Sequence, residues 1–162
     1  MIMNSIRVGN GYDVHQLKEK LPFILGGVNI KYTKGIVAHS DGDVLLHAIS
    51  DALLGAASLG DIGHFFPDTD QKFKDIDSKL ILRKVCDELN RLSFSIINVD
   101  VTVVLEKPKL QPYINTIKES VAHLLRIPVD HTNIKATTSE TMGFIGRGEG
   151  IVCYATVLIQ KT

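Results

Sequence analysis

The chain has 162 residues, of which 44% are hydrophobic and 22% are charged, and its 18 basic residues balance its 18 acidic residues. This composition is ordinary for a globular protein and predicts one domain over residues 1–162 with a sizeable core. The zero formal charge argues against a nucleic-acid binder, and no apolar run approaches the ~20 residues of a membrane span.

The first third of the chain predicts a strand, a hairpin and a helix. "SIRVGNGYDVH" is a short strand pattern whose glycines permit a bulge. "LPFILGGVNIKY" predicts two short strands that turn at Gly26 and Gly27. A helix is predicted over 40–60, with Ser40 as its N-cap and Gly60 as its stop.

The rest of the chain alternates helices and strands. "DSKLILRKVCDELNRLSF" is amphipathic, and "SIINVDVTVVLEK" is a strand rich in β-branched residues. "LQPYINTIKESVAHLLRI" predicts a third helix, with Pro112 tolerated in its first turn. "TNIKATTSE" and "GIVCYATVLIQK" predict the last two strands. On the amphipathic helix the predicted buried residues are Leu80, Val85, Leu89 and Leu92.

This order indicates the α+β class, with a mixed four-stranded sheet covered by helices on one face. The two C-terminal strands suggest an antiparallel pair. Val99, Val101, Val103 and Leu105 share one face of their strand, whereas Val104 lies on the other. A homo-oligomer is the simplest cover for a second apolar sheet face.

Features at the N-terminus and at the cysteines favour the cytoplasm. "MIMNSIRVGNG" lacks the apolar region of a signal peptide. Cys86 and Cys153 are far apart and not in a ligand spacing, so we expect reduced core thiols. These features predict a cytoplasmic protein without a membrane partner.

One histidine within the 40–60 helix raises the question of a metal. His47 taken alone is better explained as a buried histidine that bonds Asp43 or Asp51, its i, i+4 neighbours. Asp13 and His15 are two apart in a strand and therefore point to the same side. Together with His47 they make a three-ligand set, and three protein ligands with an open fourth position are typical of catalytic zinc.

A second cluster lies in "KATTSETMGFIGRGEG". Its hydroxyls and Arg147 suit phosphate oxygens, and Glu140 beside phosphates suits Mg²⁺. Without the first cluster a plain glycine-rich turn would explain it. "FPDTD" suits a polyol or is a solvated turn. From spacing alone, the lysines of "EKPKL" are better explained as ordinary surface.

Taken together, the segments resemble the 2-C-methyl-D-erythritol 2,4-cyclodiphosphate synthase family. The matching stretches are "GYDVH", "LGGV", "HSDGDVLLHAISDALLGAASLGDIG", "FPDTD", "NVDVTVV", "KPK", "IKATTSE" and "GFIGRGEGI", in order from near residue 7 to near 155. The resemblance implies a lyase of non-mevalonate isoprenoid precursor biosynthesis. Its substrate would be a cytidine diphosphate, 4-diphosphocytidyl-2-C-methyl-D-erythritol 2-phosphate, and its products the 2,4-cyclodiphosphate and CMP.

The resemblance also implies a homotrimer, with the sheets facing the centre and each active site at a subunit interface. Asp13, His15 and His47 would bind zinc and Glu140 would bind Mg²⁺ or Mn²⁺. His39 and Thr138 would stabilise the transition state. The remaining substrate contacts it implies, beyond these six, are Val14, Ser40, Asp61, Ile62, Gly63, Phe66, Pro67, Asp68, Thr69, Asp70, Leu105, Glu106, Lys107, Pro108, Lys109, Leu110, Gln111, Thr137, Ser139, Phe144 and Arg147.

Two other functions remain open from the residues alone. A zinc phosphohydrolase acting on a nucleotide diphosphate would use the same ligand set. A trimeric binding module with a structural metal is disfavoured, because structural zinc is usually closed by four ligands.

Overall fold

A computed structural model describes residues 5–38, 40–66 and 76–161. One mixed five-stranded sheet has the order β4-β1-β7-β5-β6, and a separate β2–β3 hairpin flanks it. The strands are β1 Ile6–Glu19, β2 Ile24–Leu25, β3 Val28–Asn29, β4 Lys34–Val37, β5 Phe94–Val104, β6 Thr132–Thr137 and β7 Gly150–Lys161. The helices are α1 Val44–Ala56, α2 Ile62–Phe65, α3 Ser78–Arg91, α4 Ile114–Leu125 and α5 Gly143–Gly146. None of the described helices is long and apolar enough to cross a membrane.

The α+β class and the mixed sheet are confirmed, but the sheet has five strands and not four. The additional strand is β4, which pairs with residues 16–19 of β1 at the sheet edge. Its four residues, Lys-Gly-Ile-Val, are too short and too irregular to produce an alternating pattern.

The predicted antiparallel pairing of the last two strands is wrong. β6 lies at the opposite edge and pairs in parallel with β5, while β7 lies between β1 and β5 and is antiparallel to both. The connection from β6 to β7, which contains α5, passes over β5. It is therefore a crossing and not a hairpin.

Helix α1 is the centre of the core, and its neighbours explain two glycines in β1. A Cβ on Gly9 would lie 1.9 Å from the carbonyl oxygen of Ala52, and one on Gly11 would lie 1.9 Å from that of Ala48. These glycines let α1 pack directly against the strand. The bulge that these glycines would permit is absent from the β1–β7 pairing, and the irregularity in register falls in β5 between Ile96 and Asn98.

The ends of α1 differ from the prediction of a 40–60 helix. The helix begins at Val44 because Asp43 is the N-cap, and it ends at Ala56.

The fully buried Asp43 carboxylate accepts the backbone N–H groups of Leu46, Gly26 and Gly27. Burial raises the pKa of Asp43, while these three donors oppose that rise. Asp43 thereby joins the start of α1 to the predicted hairpin, whose two glycines have positive φ as a type I′ turn requires.

The predicted burial is confirmed for the β5 residues and the cysteines, but it is wrong for Leu80 of α3. In α3, Leu80 is 47% exposed, and the buried face is formed by Ile81, Leu82, Val85, Cys86 and Leu89. Val99, Val101, Val103 and Leu105 are buried as predicted. Cys86 and Cys153 are free and buried, and burial raises the pKa of Cys86 to about 11. The thiols are thus core residues, as expected.

The sheet face that points away from the helices is exposed and apolar. Tyr12 and Tyr154 are cross-strand neighbours on it, with ring centroids 5.2 Å apart. Its exposed large residues are Ile6, Val8, Tyr12, Val14 and Tyr154, with exposed fractions of 41–67%. Several exposed large hydrophobic and aromatic residues on one sheet face are typical of a protein–protein interface.

Candidate metal and active site

Three predicted ligands meet between β1 and α1. Asp13 and His15 lie on the same face of β1, and His47 is buried one turn into α1. Oδ2 of Asp13 is 3.0 Å from Nδ1 of His47 and 3.3 Å from Nδ1 of His15. One donor atom from each of the three residues lies within 4.8 Å of the others. A carboxylate oxygen and two imidazole nitrogens in this arrangement fit a divalent transition metal, zinc included.

The electrostatics of the three ligands reflect their mutual contact. Burial tends to raise the pKa of Asp13, but hydrogen bonds from His15 and His47 outweigh it and hold that pKa at about 2. Burial tends to lower the pKa of His15, but the Asp13 carboxylate raises it above its ordinary value. The site therefore holds a negative charge beside imidazoles, which favours a cation.

These shifts predict how the pH affects the metal-free protein. Asp13 contributes stability above pH 3.8, which is lost as the pH falls towards about 2. His15 contributes stability below pH 6.5, which is lost as the pH rises through its raised pKa. Thermal unfolding of metal-free protein should therefore occur at a lower temperature at pH 8 than at pH 6. His15→Gln should remove part of this alkaline loss, and an unchanged slope in that variant would contradict the assignment.

The structure does not support the alternative in which His47 is only a buried histidine bonded to Asp43 or Asp51. Asp43 caps α1, and Asp51 accepts the backbone N–H of Ile62 at 2.8 Å, which positions the start of α2. Burial raises the pKa of Asp51. His47 bonds instead to Asp13, Ser78 and Ser40, at 3.0, 2.8 and 3.3 Å. Neither Asp43 nor Asp51 is therefore the partner that satisfies His47.

Sequence reasoning missed Asp41 and Ser78. The Ser78 hydroxyl contacts both Nε2 of His47 and Oδ1 of Asp41, although it is 31 residues from the histidine. Its only sequence signal is its position at the first turn of α3, after the N-cap Asp77. That signal indicates a helix start and gives no indication of a contact with a metal ligand.

The predicted contacts around α2 lie partly within the described structure. Asp61 caps α2 by accepting the N–H of His64 at 3.0 Å, and Ile62 and Gly63 form its first turn. Phe66 is buried at the end of the segment. His39, Pro67, Asp68, Thr69 and Asp70 lie outside the described residues.

A second cavity, of about 330 Å³, opens beside the carboxyl ends of β5 and β6. It is lined by Leu105, Pro108, Lys109, Leu110, Gln111, Ile114, Ile134, Ala136, Thr137 and Thr138. The family resemblance implies most of these residues as substrate contacts. Its walls combine aliphatic side chains with hydroxyl and amine groups. Such a lining fits a ligand with one flat apolar part and one anionic part.

Two turns at this cavity are held together by Glu106. Its carboxylate accepts the N–H groups of Ser139 and Thr141 at 2.9 and 3.1 Å, and the Ser139 hydroxyl at 3.1 Å. These donors lower the pKa of Glu106 against the opposing effect of desolvation. Thr138 donates to Glu140 at 2.9 Å, and both Glu140 and Thr141 have positive φ. Backbone strain in two successive residues is typical of functional sites.

Of the remaining predicted residues, Phe144 lies near the metal ligand His15. Phe144, on α5, lines a cavity of about 320 Å³ with Val14, His15, Gln16, Glu149 and Gly150. Arg147 is exposed and pairs with Glu149 at 2.9 Å. Lys107 follows Glu106 in the turn after β5, but it is not among the residues that line the 330 Å³ cavity.

The metal ligands and the second cavity lie at the same end of the sheet but on different strands. Val14, Val152, Val104 and Thr137 form one row of register partners across β1, β7, β5 and β6. Three strand spacings, about 14 Å, therefore separate the backbones of β1 and β6. Among the described residues, no hydrogen bond joins the Asp13–His15–His47 group to Thr138 or Glu140.

Residues 6–160 match the family model of the YgbB family. The chain belongs to the YgbB family. Among relatives, the 2-C-methyl-D-erythritol 2,4-cyclodiphosphate synthase of Methylobacillus flagellatus is 57% identical over 96% of this chain and 98% of its own length. The enzyme of the same name from Haemophilus ducreyi is 51% identical over 96% of this chain and 98% of its own.

Solved structures of YgbB relatives have the same fold. The bifunctional IspDF from Campylobacter jejuni matches 98% of this chain and 43% of its own, at 44% identity and a TM-score of 0.94. A CDP complex of IspF from Plasmodium falciparum matches 98% of this chain and 99% of its own, at 34% identity and a TM-score of 0.86.

Proposed function

We propose that this YgbB-family chain converts 4-diphosphocytidyl-2-C-methyl-D-erythritol 2-phosphate to 2-C-methyl-D-erythritol 2,4-cyclodiphosphate and CMP. The reaction would serve non-mevalonate isoprenoid precursor biosynthesis in the cytoplasm, and the whole chain would be one cyclodiphosphate synthase domain. The observation that carries the proposal is the convergence of Asp13, His15 and His47 within 4.8 Å. The relatives named above support the identity of the reaction.

The proposed reaction is an intramolecular displacement at phosphorus. An oxygen of the 2-phosphate bonds to the β-phosphorus, the bond from that phosphorus to the bridging oxygen breaks, and CMP departs with that oxygen. Since the attacking phosphate is already an anion at neutral pH, no strong base is required. The obstacle is repulsion between two anionic phosphates, so catalysis depends on charge neutralisation and alignment.

The chain's own residues have distinct proposed roles. Asp13, His15 and His47 would hold zinc, and Glu140 would hold Mg²⁺ or Mn²⁺. When bound, these ions would act as Lewis acids on the diphosphate. Thr138 and His39 would donate to oxygens that gain charge in the transition state. One such donor typically contributes roughly 10²–10³ in rate.

The proposed substrate contacts fall into two groups. The methylerythritol phosphate would be bound by Ser40, by residues 61–63 and by residues 66–70. The cytidine diphosphate part would be bound by residues 105–111 and 137–140 in the 330 Å³ cavity, whose mixed lining suits a base and an anion. Phe144 and Arg147 would add further contacts.

We also propose a homotrimer whose active sites lie between subunits. Zinc and Glu140 must act on one diphosphate, yet their strands are about 14 Å apart across the sheet of a single chain. A second subunit is the simplest way to bring the two groups together. The exposed apolar sheet face supplies a surface for this association and would face the trimer centre.

The assembly predicts the effect of a charge on that face. Val8 is 67% exposed, and Val8→Lys should dissociate the trimer because it would place three lysines near the threefold axis. Leu80→Lys is the matched control, since Leu80 is 47% exposed on α3 in the helix layer. Light scattering after gel filtration should report a smaller mass for the first variant only. Equal masses for both would contradict this interface.

The second metal can be tested separately from the first. Glu140→Gln should retain a full zinc complement but should need a far higher Mg²⁺ concentration, because a neutral amide binds Mg²⁺ weakly. Glu119→Gln makes the same charge change on the exposed side of α4 and should leave the Mg²⁺ dependence unchanged. A Mg²⁺ titration of Glu140→Gln that superimposes on wild type would rule out this role.

Product analysis decides between the proposed reaction and its alternatives. The purified protein would be incubated with the substrate, zinc and Mg²⁺, and the products followed by ³¹P NMR together with a CMP assay. We expect one CMP for each cyclic diphosphate. An open-chain diphosphate would indicate a zinc phosphohydrolase, and binding of CDP without turnover would indicate a binding module.

A further inference from the structure

Both ring nitrogens of His47 have partners, and the two sets of partners differ in kind. Nδ1 faces the Asp13 carboxylate at 3.0 Å, on the side of the candidate metal centre. Nε2 faces the hydroxyl of Ser78 at 2.8 Å, on the opposite side of the ring. Ser78 is fully buried, so water does not compete for this contact.

The direction of the hydrogen bonds follows from the partner of Ser78. Its hydroxyl also contacts Oδ1 of Asp41, and an ionised carboxylate only accepts. The single hydroxyl proton of Ser78 therefore goes to Asp41, so the Ser78 oxygen must accept from His47. When a metal takes the place of the hydrogen bond between Nδ1 and Asp13, the proton of the neutral imidazole is therefore on Nε2, and the lone pair of Nδ1 is left for the metal.

We propose that Ser78 and Asp41 are positioning residues that fix the tautomer and the ring orientation of His47 for metal binding. Histidines that ligate metals usually donate their other N–H to an acceptor that orients the ring. Here the acceptor is a serine whose own proton is held by a carboxylate. The inference rests on metal binding by Asp13, His15 and His47 and does not depend on which reaction follows.

The other histidine shows the complementary arrangement. Nδ1 of His15 lies 2.7 Å from the carbonyl oxygen of Val14, which only accepts, so the proton of His15 is on Nδ1. His15 would therefore offer Nε2 to a metal, whereas His47 would offer Nδ1. A backbone carbonyl performs for His15 the role that Ser78 and Asp41 perform for His47.

The Asp41 carboxylate is itself held firmly. Oδ2 accepts the backbone N–H of Ser78 at 3.2 Å, and the N–H of Asp41 donates to the carbonyl of Ile76 at 3.3 Å. These two hydrogen bonds tie the segment before α1 to the start of α3 and hold the Asp41 carboxylate beside the Ser78 hydroxyl. Ser40 offers His47 a second, longer contact at 3.3 Å and is itself bonded to the N–H of Gly42.

Zinc affinity in two variants tests the proposal. Ser78→Ala removes the acceptor for Nε2. Asp41→Asn lets the amide donate to Ser78, which then donates to His47 and favours the wrong tautomer. Competition with a chelator should show zinc binding about 10–100-fold weaker in both variants. Ser50→Ala is the matched control, because Ser50 is equally buried and its hydroxyl donates to the carbonyl of Leu46 within α1. The zinc affinity of this variant should change less than about twofold.

A second measurement uses the wild-type protein and does not depend on whether the variants fold. In the zinc-loaded protein, the ¹⁵N shifts of the His47 ring should place the proton on Nε2 and the metal on Nδ1. The opposite tautomer would overturn the proposal, as would wild-type zinc affinity in both variants or a wild type that binds no zinc. Wild type that binds zinc in this tautomer but releases no CMP contradicts only the proposed function.

Discussion

Replacing His47 with alanine is expected to abolish metal binding and turnover together. Asp13 and His15 alone would leave two ligands on one strand, and two protein ligands rarely retain a catalytic zinc ion. The loss of charge neutralisation should lower kcat by on the order of 10³-fold or more. Metal analysis after gel filtration and a CMP-release assay would measure both effects. A full zinc complement with normal CMP release in this variant would contradict the site.

A matched variant separates loss of the ligand from damage to the helix. His64 lies on α2, outside the Asp13–His15–His47 group. His64→Ala removes an imidazole without removing a predicted zinc ligand, so it should retain zinc. The far-UV circular dichroism of metal-free His47→Ala should match that of metal-free wild type if the helix is intact.

Gly11→Ala is expected to destabilise the fold strongly by adding a single methyl group. The new Cβ would lie 1.9 Å from the carbonyl oxygen of Ala48 and 2.8 Å from the N of Ala52, both of which are backbone atoms of α1. The helix would have to move away from β1, at a cost of about 3 kcal/mol or more. Because α1 carries His47 and β1 carries its two partners, zinc affinity should fall at the same time. Thermal unfolding and chelator competition measure the two effects.

Gly55 supplies the control for this substitution. It lies near the end of α1, and a Cβ there meets nothing within 4 Å. Gly55→Ala should raise the free energy of unfolding by about 0.5–1 kcal/mol, since alanine is the better helix former. If Gly11→Ala unfolds at the wild-type temperature, then direct packing of α1 on β1 is wrong.

Sequence reasoning succeeded where local patterns reflect burial or a repeated spacing. The alternation of Val99, Val101 and Val103 identified the buried face of β5, and the Gly26–Gly27 pair identified the hairpin. It failed on β4, which is too short to show alternation, and on Leu80, which helical periodicity placed on the buried face with Val85 and Leu89. Pairing of distant strands leaves no local pattern, so the position of β6 was not predictable.

Some residues of the candidate site were also predictable from the sequence, whereas others were not. Asp13, His15 and His47 stood out only in combination, because each alone has an ordinary structural explanation. The two-residue spacing of Asp13 and His15 fixed their common face. Asp41 and Ser78 did not stand out, because aspartate and serine near helix starts have an ordinary capping explanation. Only the approach of α3 to α1 reveals that the serine contacts a ligand.

The buried Asp43 carboxylate has a consequence for cooperativity. It holds the amides of Gly26 and Gly27 and the amide of Leu46 on one side chain, so the hairpin and the helix cannot open independently without stranding a buried charge. These three amides should exchange with deuterium at a common rate, as one cooperative unit. His47 begins the turn that follows this cap, so the hairpin and the helix segment that carries this metal ligand should open together.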